Sequence, residues 1–130
     1  TERMQQQKIK FTQKIELYKL PVKGEDMMII MGNLLENAME ASMKCQIEER
    51  RIELTIQQIN EIVFLDVKNS ISDTVNLNGF QSQKADKIMH GWGMKNIKQI
   101  VDENHGEMQC ACKDGMFDVN IIFMEDKEYE

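Results

Sequence analysis

The chain has 130 residues, 42% of them hydrophobic, with one proline, seven glycines and a formal net charge of -6. That length and apolar content suit a single domain, residues 1–130, with a core of its own, and they exclude a disordered chain. The negative balance excludes a nucleic-acid binder; no apolar run reaches the roughly 18 residues that span a bilayer, and no basic-then-apolar leader opens the sequence.

The opening stretch, T-E-R-M-Q-Q-Q, reads as a residual linker over residues 1–7. Residues 8–20 alternate apolar and polar positions at Ile9 and Phe11, and again at Ile15 and Leu17, which predicts an extended, edge-like strand. Pro21 to Glu25 reads as a turn, with Asp26 as the N-cap of a long helix running to Cys45. Most positions of that helix are Met, Ile, Leu or Ala, so it is expected to be apolar around most of its circumference and largely buried, with Met27, Met28, Met31 and Met39 as core filler.

Burial makes the polar exceptions informative. At about 100° per residue, Asn33, Asn37, Glu40 and Lys44 fall in one sector about 60° wide. Burying an unpartnered amide costs on the order of 1 to 3 kcal/mol, so this seam either faces water or holds something polar. A solvated face with a Glu40 to Lys44 pair is the plain reading. Asparagines are mediocre helix formers, however, and neutral carbonyl oxygens can ligate a hard cation such as Mg2+ beside phosphates.

Further along, Ile52, Leu54 and Ile56 and then Val63, Leu65 and Val67 alternate on either side of Asn60 and Glu61, which predicts a hairpin. Residues 71–90 are polar and weakly periodic, long for a structureless connection, and suggest a lid. Met94, Ile97, Ile100 and Val101 then recur at helical spacing, with Gly106 stopping the helix after His105. Two strands close the domain, Glu107 to Cys112 and Met116 to Phe123, joined by a K-D-G turn, and the acidic tail over residues 125–130 is expected to fray. Three cysteines without C-x-x-C spacing fit a reducing compartment, and Cys110 and Cys112 read as small side chains on one strand face rather than as metal ligands. The order of elements favours an α+β fold, a two-layer α/β sandwich with a mixed, mostly antiparallel sheet covered on one face by helices.

The segment H-G-W-G-M-K-N, His90 to Asn96, opens the second helix with glycines at alternate positions. Glycine lets backbone N–H groups approach an anion, and the helix N-terminus adds partial positive charge, so a polyphosphate can sit there; glycines that merely cap a helix are the alternative. Trp92, between them, reads as a residue packed on the surface.

With N-L-L-E-N-A-M-E-A-S on one helix, a polar lid, and H-G-W-G-M-K-N-I-K-Q-I-V on the next, the chain resembles the catalytic and ATP-binding domain of sensor histidine kinases, a branch of the GHKL or Bergerat-fold ATPases. The nearest likeness is to peptide-pheromone and virulence-regulating receptor kinases. The resemblance implies that Asn37 binds Mg2+ and phosphate oxygens with Asn33 supporting it, that Gly91 and Gly93 lie against the phosphates with Met94 following, and that Lys84 and Lys44 are further phosphate contacts. The adenine-reading Asp-x-Gly-x-Gly motif is missing, and Asn69 stands in its place as the expected base reader, with a strand-end turn residue as the plain alternative. In hydrolysing relatives, and in serine kinases that restrain sigma factors, a Glu base occupies position 33; Asn33 cannot act as a base at neutral pH, which fits transfer to an imidazole and leaves no residue assigned as catalytic. The resemblance further implies ATP and Mg2+ as cofactors, an acceptor histidine on an upstream dimerisation domain, a cognate response regulator, and a homodimeric, membrane-bound parent with this domain in the cytoplasm. A nucleotide-binding regulatory or docking module is the rival reading, and a plain α/β domain with a solvated seam is a third.

Overall fold

The computed structural model describes residues 1–72 and 93–124. In chain order they form helix α1 (Glu2–Gln6), strand β1 (Lys10–Glu16), helix α2 (Gly24–Met43), a 3-10 turn (Ile47–Glu49), strands β2 (Arg51–Ile59) and β3 (Ile62–Ser70), helix α3 (Lys95–Glu103), and strands β4 (Glu107–Lys113) and β5 (Met116–Met124). The strands make one sheet in the order β1-β2-β3-β5-β4. Pairing is parallel between β1 and β2, where α2 supplies the crossover that parallel neighbours need, and antiparallel elsewhere. The expected two-layer α+β sandwich with a mixed, mostly antiparallel sheet is therefore what the chain builds.

The strict alternation in the sequence dictates the sheet's two faces. Ile52, Leu54 and Ile56 of β2, Val63, Leu65 and Val67 of β3, and Phe117, Val119, Ile121 and Phe123 of β5 are all buried on the face that meets the helices. Against them pack Met27, Ile30, Leu34 and Ala38 of α2, with Ile97, Ile100 and Val101 of α3. The other face carries Glu53, Asp66, Lys68 and Asp118, half-buried or exposed.

Three expectations are corrected. First, α2 begins at Gly24, its first turn closed by Met27 N–H donating to Lys23 O at 2.9 Å. Asp26 is therefore not the N-cap; with Glu25 it lies in the first turn, where a carboxylate meets the positive end of the helix dipole. Second, α2 is not buried around most of its circumference: Met28 is 77% exposed and Ile29 44%. In a two-layer fold only the sheet and the flanking helices cover α2, so its outward stripe meets water although its residues are apolar. Third, Gly106 is not the left-handed residue that ends α3. His105 takes that place with φ 58°, and the terminus closes as a Schellman motif, Gly106 N–H donating to Val101 O at 2.8 Å and His105 N–H to Asp102 O at 3.1 Å.

Gly106 is required for another reason. A Cβ there would lie 2.8 Å from the Phe123 ring and 2.9 Å from the Ile122 carbonyl oxygen, and the backbone oxygen is held in the sheet. Gly106→Ala is expected to cost about 1–3 kcal/mol through this overpacking, read as a lowered urea midpoint with an unchanged m-value.

The stretch read as a linker is helical over Glu2–Gln6, and its Met4 is 1% exposed. Arg3 forks onto Glu36 of α2 at 2.9 and 3.1 Å. This hydrogen bond, then the charge of Arg3, holds the Glu36 carboxyl below the usual carboxylate range. Both groups are exposed, so the pair orients α1 more than it stabilises it.

Candidate nucleotide site

The seam predicted on α2 faces outward: Asn33, Glu40 and Lys44 are exposed and Asn37 is half-buried. The helix wheel explains the gradient, since Asn37 is turned toward the flank that carries Ile30 and Leu34 into the core. Lys44 is the C-cap residue, its N–H donating to Ala41 O at 3.2 Å.

Asn69, next to last in β3, lies on the core face and is 1% exposed. Its carboxamide nitrogen donates to Ser70 O at 3.0 Å, which commits that end of the amide to the backbone; the carbonyl oxygen is its acceptor end. The next residue fastens this strand end to α2, through Ser70 Oγ and Ser42 Oγ at 2.8 Å, both buried. The two hydroxyls also accept the Arg51 N–H, at 3.0 and 3.1 Å. Asn69 is thus held under the C-terminal half of α2, the half that carries Asn37, Glu40 and Lys44.

On the other flank, α3 packs against α2. Gly93 precedes it with φ 63°, a left-handed conformation that an L side chain resists, and its side is open: a Cβ there would meet nothing within 4 Å. Met94 is 3% exposed and anchors the entry to the core. Among the described residues no side chain caps α3, and no acidic residue lies in its first turn. Its leading N–H groups therefore present a positive helix end that no described side chain caps, suited to an anion.

Asn33, Asn37 and Lys44 on α2, Asn69 on β3, and Gly93 and Met94 before α3 thus lie on elements that contact one another through α2. Lys84, Gly91, His90, Trp92 and nearly all of the segment read as a lid lie outside the described residues, as does the tail 125–130. Among the described residues no group of three or more His, Cys, Asp or Glu is placed to hold a metal ion, so a cation here would take its oxygens from the amides and from a ligand's own phosphates and waters, the habit of Mg2+. A separate groove of about 350 Å3, lined by Leu20, Pro21, Val63, His105 and Met124 among others, opens at the start of β3, the opposite end of that strand from Asn69. None of the seam residues borders it.

A family model described as GHKL domain matches residues 22–124. The chain belongs to the GHKL domain family. Over 95 residues this GHKL domain is 28% identical to a probable C4-dicarboxylate sensor kinase of Bacillus subtilis (strain 168), covering 68% of the chain and 17% of that protein, so the chain spans less than a fifth of the relative's length. Among solved structures it resembles the catalytic domain of histidine kinase ThkA in a nucleotide-free form, with TM-score 0.73, 17% identity, and 95% of this chain and 84% of that chain covered. It also resembles histidine kinase ThkA in complex with the response regulator protein TrrA, with TM-score 0.70, 19% identity, and 99% and 38% covered. Acinetobacter baumannii histidine kinase AdeS matches with TM-score 0.69 and 12% identity, over 97% of this chain and 59% of that one. At these identities the likeness is one of fold.

Sequence reasoning missed the Ser42 to Ser70 bond and the arginine that binds the C-terminal end of α2. Arg50 donates to Gln7 O at 2.7 Å, Met43 O at 3.0 Å and Cys45 O at 3.2 Å. The signal for Ser42 was a hydroxyl among apolar neighbours in A-M-E-A-S; nothing local marked Arg50, whose three acceptors come from two separate stretches of chain, Gln7 on one and Met43 and Cys45 on the other.

Proposed function

We propose that this domain binds Mg-ATP and serves as the catalytic domain of a sensor histidine kinase, delivering the γ-phosphoryl group to a histidine on a dimerisation domain of the parent protein. The observation that carries the reading is Asn69, buried at the strand end with its amide nitrogen donating to the backbone, so that its carbonyl oxygen is the end that would accept from an adenine amino group, beneath the helix that bears Asn37. The Asn37 and Asn33 oxygens would ligate Mg2+ and their amide nitrogens would donate to phosphate oxygens, Lys44 at the end of the same stripe would add positive charge, and the N-terminus of α3 at Gly93 and Met94 would receive phosphate oxygens on its leading N–H groups. Bound Mg2+ supplies neutralisation of phosphate charge. Lys84 and Gly91 complete the phosphate contacts in this reading.

Because Asn33 holds no basic lone pair, it would not activate water, and the domain would work by positioning and electrostatics while a neutral imidazole, itself a competent nucleophile, forms its N–P bond to the γ-phosphorus as the bond to the bridging oxygen breaks and ADP leaves. The parent is a homodimeric, membrane-bound receptor that presents this domain to the cytoplasm and passes its phosphoryl group to a cognate response regulator. A receptor of the peptide-pheromone and virulence-regulating type fits the two helix motifs. Among the described residues no helix is long and apolar enough to cross a membrane.

Two measurements test the reading. Calorimetry should show one Mg-ATP or Mg-ADP site per chain, with Mg-GTP bound at least tenfold more weakly, since its O6 offers no proton to Asn69. Incubation with radiolabelled ATP should place acid-labile label on a longer form of the chain carrying the upstream histidine, and none on residues 1–130 alone. Absence of any nucleotide binding at millimolar concentration leaves the docking-module reading in its place.

A further inference from the structure

The outward face of the sheet holds a cluster that the nucleotide site does not use. The ladder places Asp118 of β5 opposite Lys68 of β3, and Asp66 opposite Asn120; Glu53 of β2 lies opposite Lys68 on its other side. Asp118 stands between Phe117 and Val119, both buried against the helices, so it points to the opposite face. There it has lost much of its water: its Oδ1 is buried with no hydrogen-bond partner. Desolvation comes first among the influences on it, followed by a side-chain hydrogen bond with Asp66 and the charge of Asp66, and together they push the Asp118 carboxyl up to about 7 against the opposing pull of Lys68. The single nearby ammonium is divided, since Lys68 also lies 4.0 Å from Asp66. Glu53 adds further repulsion to Asp118 and is itself bridged to Arg51 at 3.2 Å. From β4 the residue opposite is Ala111, with Gln109 beyond it and Lys113 at the strand end opposite Met116. Along β5 itself the same-face neighbours are Met116 and Asn120, neither of them charged.

We propose that Asp66 and Asp118, side by side on the outer face of adjacent strands with one buried carboxyl oxygen unpartnered, share one proton and form a clasp between β3 and β5 that closes when the proton is bound and opens when it is lost. With the proton in place, one carboxyl donates to the other across adjacent strands; without it, two carboxylates face each other beside Glu53 with one lysine between them. The clasp lies in the ladder that also pairs Asn69 with Phe117. The folded state holds this proton more tightly than the unfolded chain does. Its stabilisation is therefore fully present below the ordinary aspartate range, declines as pH rises, and is gone above about 7. Glu36, whose carboxyl is shifted the other way, stays ionised throughout the window above pH 5.

The clasp does not depend on the kinase reading, and three observations test it. Carbon-detected NMR titration of the wild-type carboxyl groups should find one of the pair titrating well above pH 5. Urea unfolding should show the wild-type unfolding constant rising on the order of tenfold between pH 5.5 and pH 8, the nominal effect being larger but reduced by partial exposure. Asp118→Asn, a neutral stand-in for the protonated acid, should change less than twofold over the same range, and Asp66→Asn should bring Asp118 back toward ordinary carboxylate titration. Both carboxyls titrating near 4, or parallel pH profiles for wild type and Asp118→Asn, overturn the proposal. The NMR result and Asp66→Asn decide it if Asp118→Asn fails to fold.

Discussion

Asn37→Ala is expected to weaken Mg-ATP binding about 100-fold while leaving the fold intact. In the proposed site the amide oxygen is assigned to the cation and the amide nitrogen to charged phosphate oxygens, and a hydrogen bond or ligand bond to a charged group contributes about 1.5–3 kcal/mol, with each 1.4 kcal/mol equal to a factor of ten in affinity. Asn37 is half-buried rather than buried, and alanine is the better helix former, so the thermal midpoint of the nucleotide-free protein should stay within about 2 °C of wild type. Calorimetry with Mg-ADP on the two proteins gives the comparison. Equal affinity would remove Asn37 from the site, and a large loss of stability would show that the residue serves the fold instead. Asn33→Ala should act in the same direction by a smaller factor, because Asn33 is fully on the exposed side of the stripe.

The largest stability effect expected of any side-chain truncation outside the apolar core is that of Arg50→Ala. Its guanidinium joins three carbonyls, Gln7 at the end of α1, Met43 in the last turn of α2 and Cys45 just beyond. The last carbonyls of a helix have no partner within it, and a cation there also meets the negative end of the helix dipole. Charge-assisted bonds of this kind are stronger than neutral ones, but water replaces part of the loss at this half-buried position, so a cost of about 2–4 kcal/mol is expected. In a domain of this size that lowers the thermal midpoint by on the order of 10 °C. Arg50→Lys should recover little, since one ammonium cannot span acceptors that a planar fork reaches from three directions. A midpoint within 2 °C of wild type for Arg50→Ala would show that the network carries no stability. Nucleotide affinity at low temperature should be nearly unchanged in a folded Arg50→Ala, which separates this variant from Asn37→Ala.

Much of this protein was legible one segment at a time. Alternation at Ile52, Leu54 and Ile56 and at Val63, Leu65 and Val67 named the hairpin and the face of it that meets the helices, because a strand's side chains point alternately up and down whatever lies around them. The 3.6-residue spacing of Ile97, Ile100 and Val101 named α3 for the same kind of reason. The asparagine stripe was visible because it depends only on the helical repeat. What the sequence could not decide was how much of α2 the fold would cover. Met28 and Ile29 are as apolar as Ile30, yet only Ile30 meets the sheet, since coverage depends on how many layers stack and not on local composition. The parallel seating of β1 beside β2, the capture of three carbonyls by Arg50, the Ser42 to Ser70 bond and the proton shared by Asp66 and Asp118 all join residues that are separated along the chain. Periodicity determined by itself which elements form and which side of each is apolar, because that information lies within a few residues. Tertiary structure alone decided which elements are neighbours, because a cross-chain contact is a property of two segments and neither segment carries it.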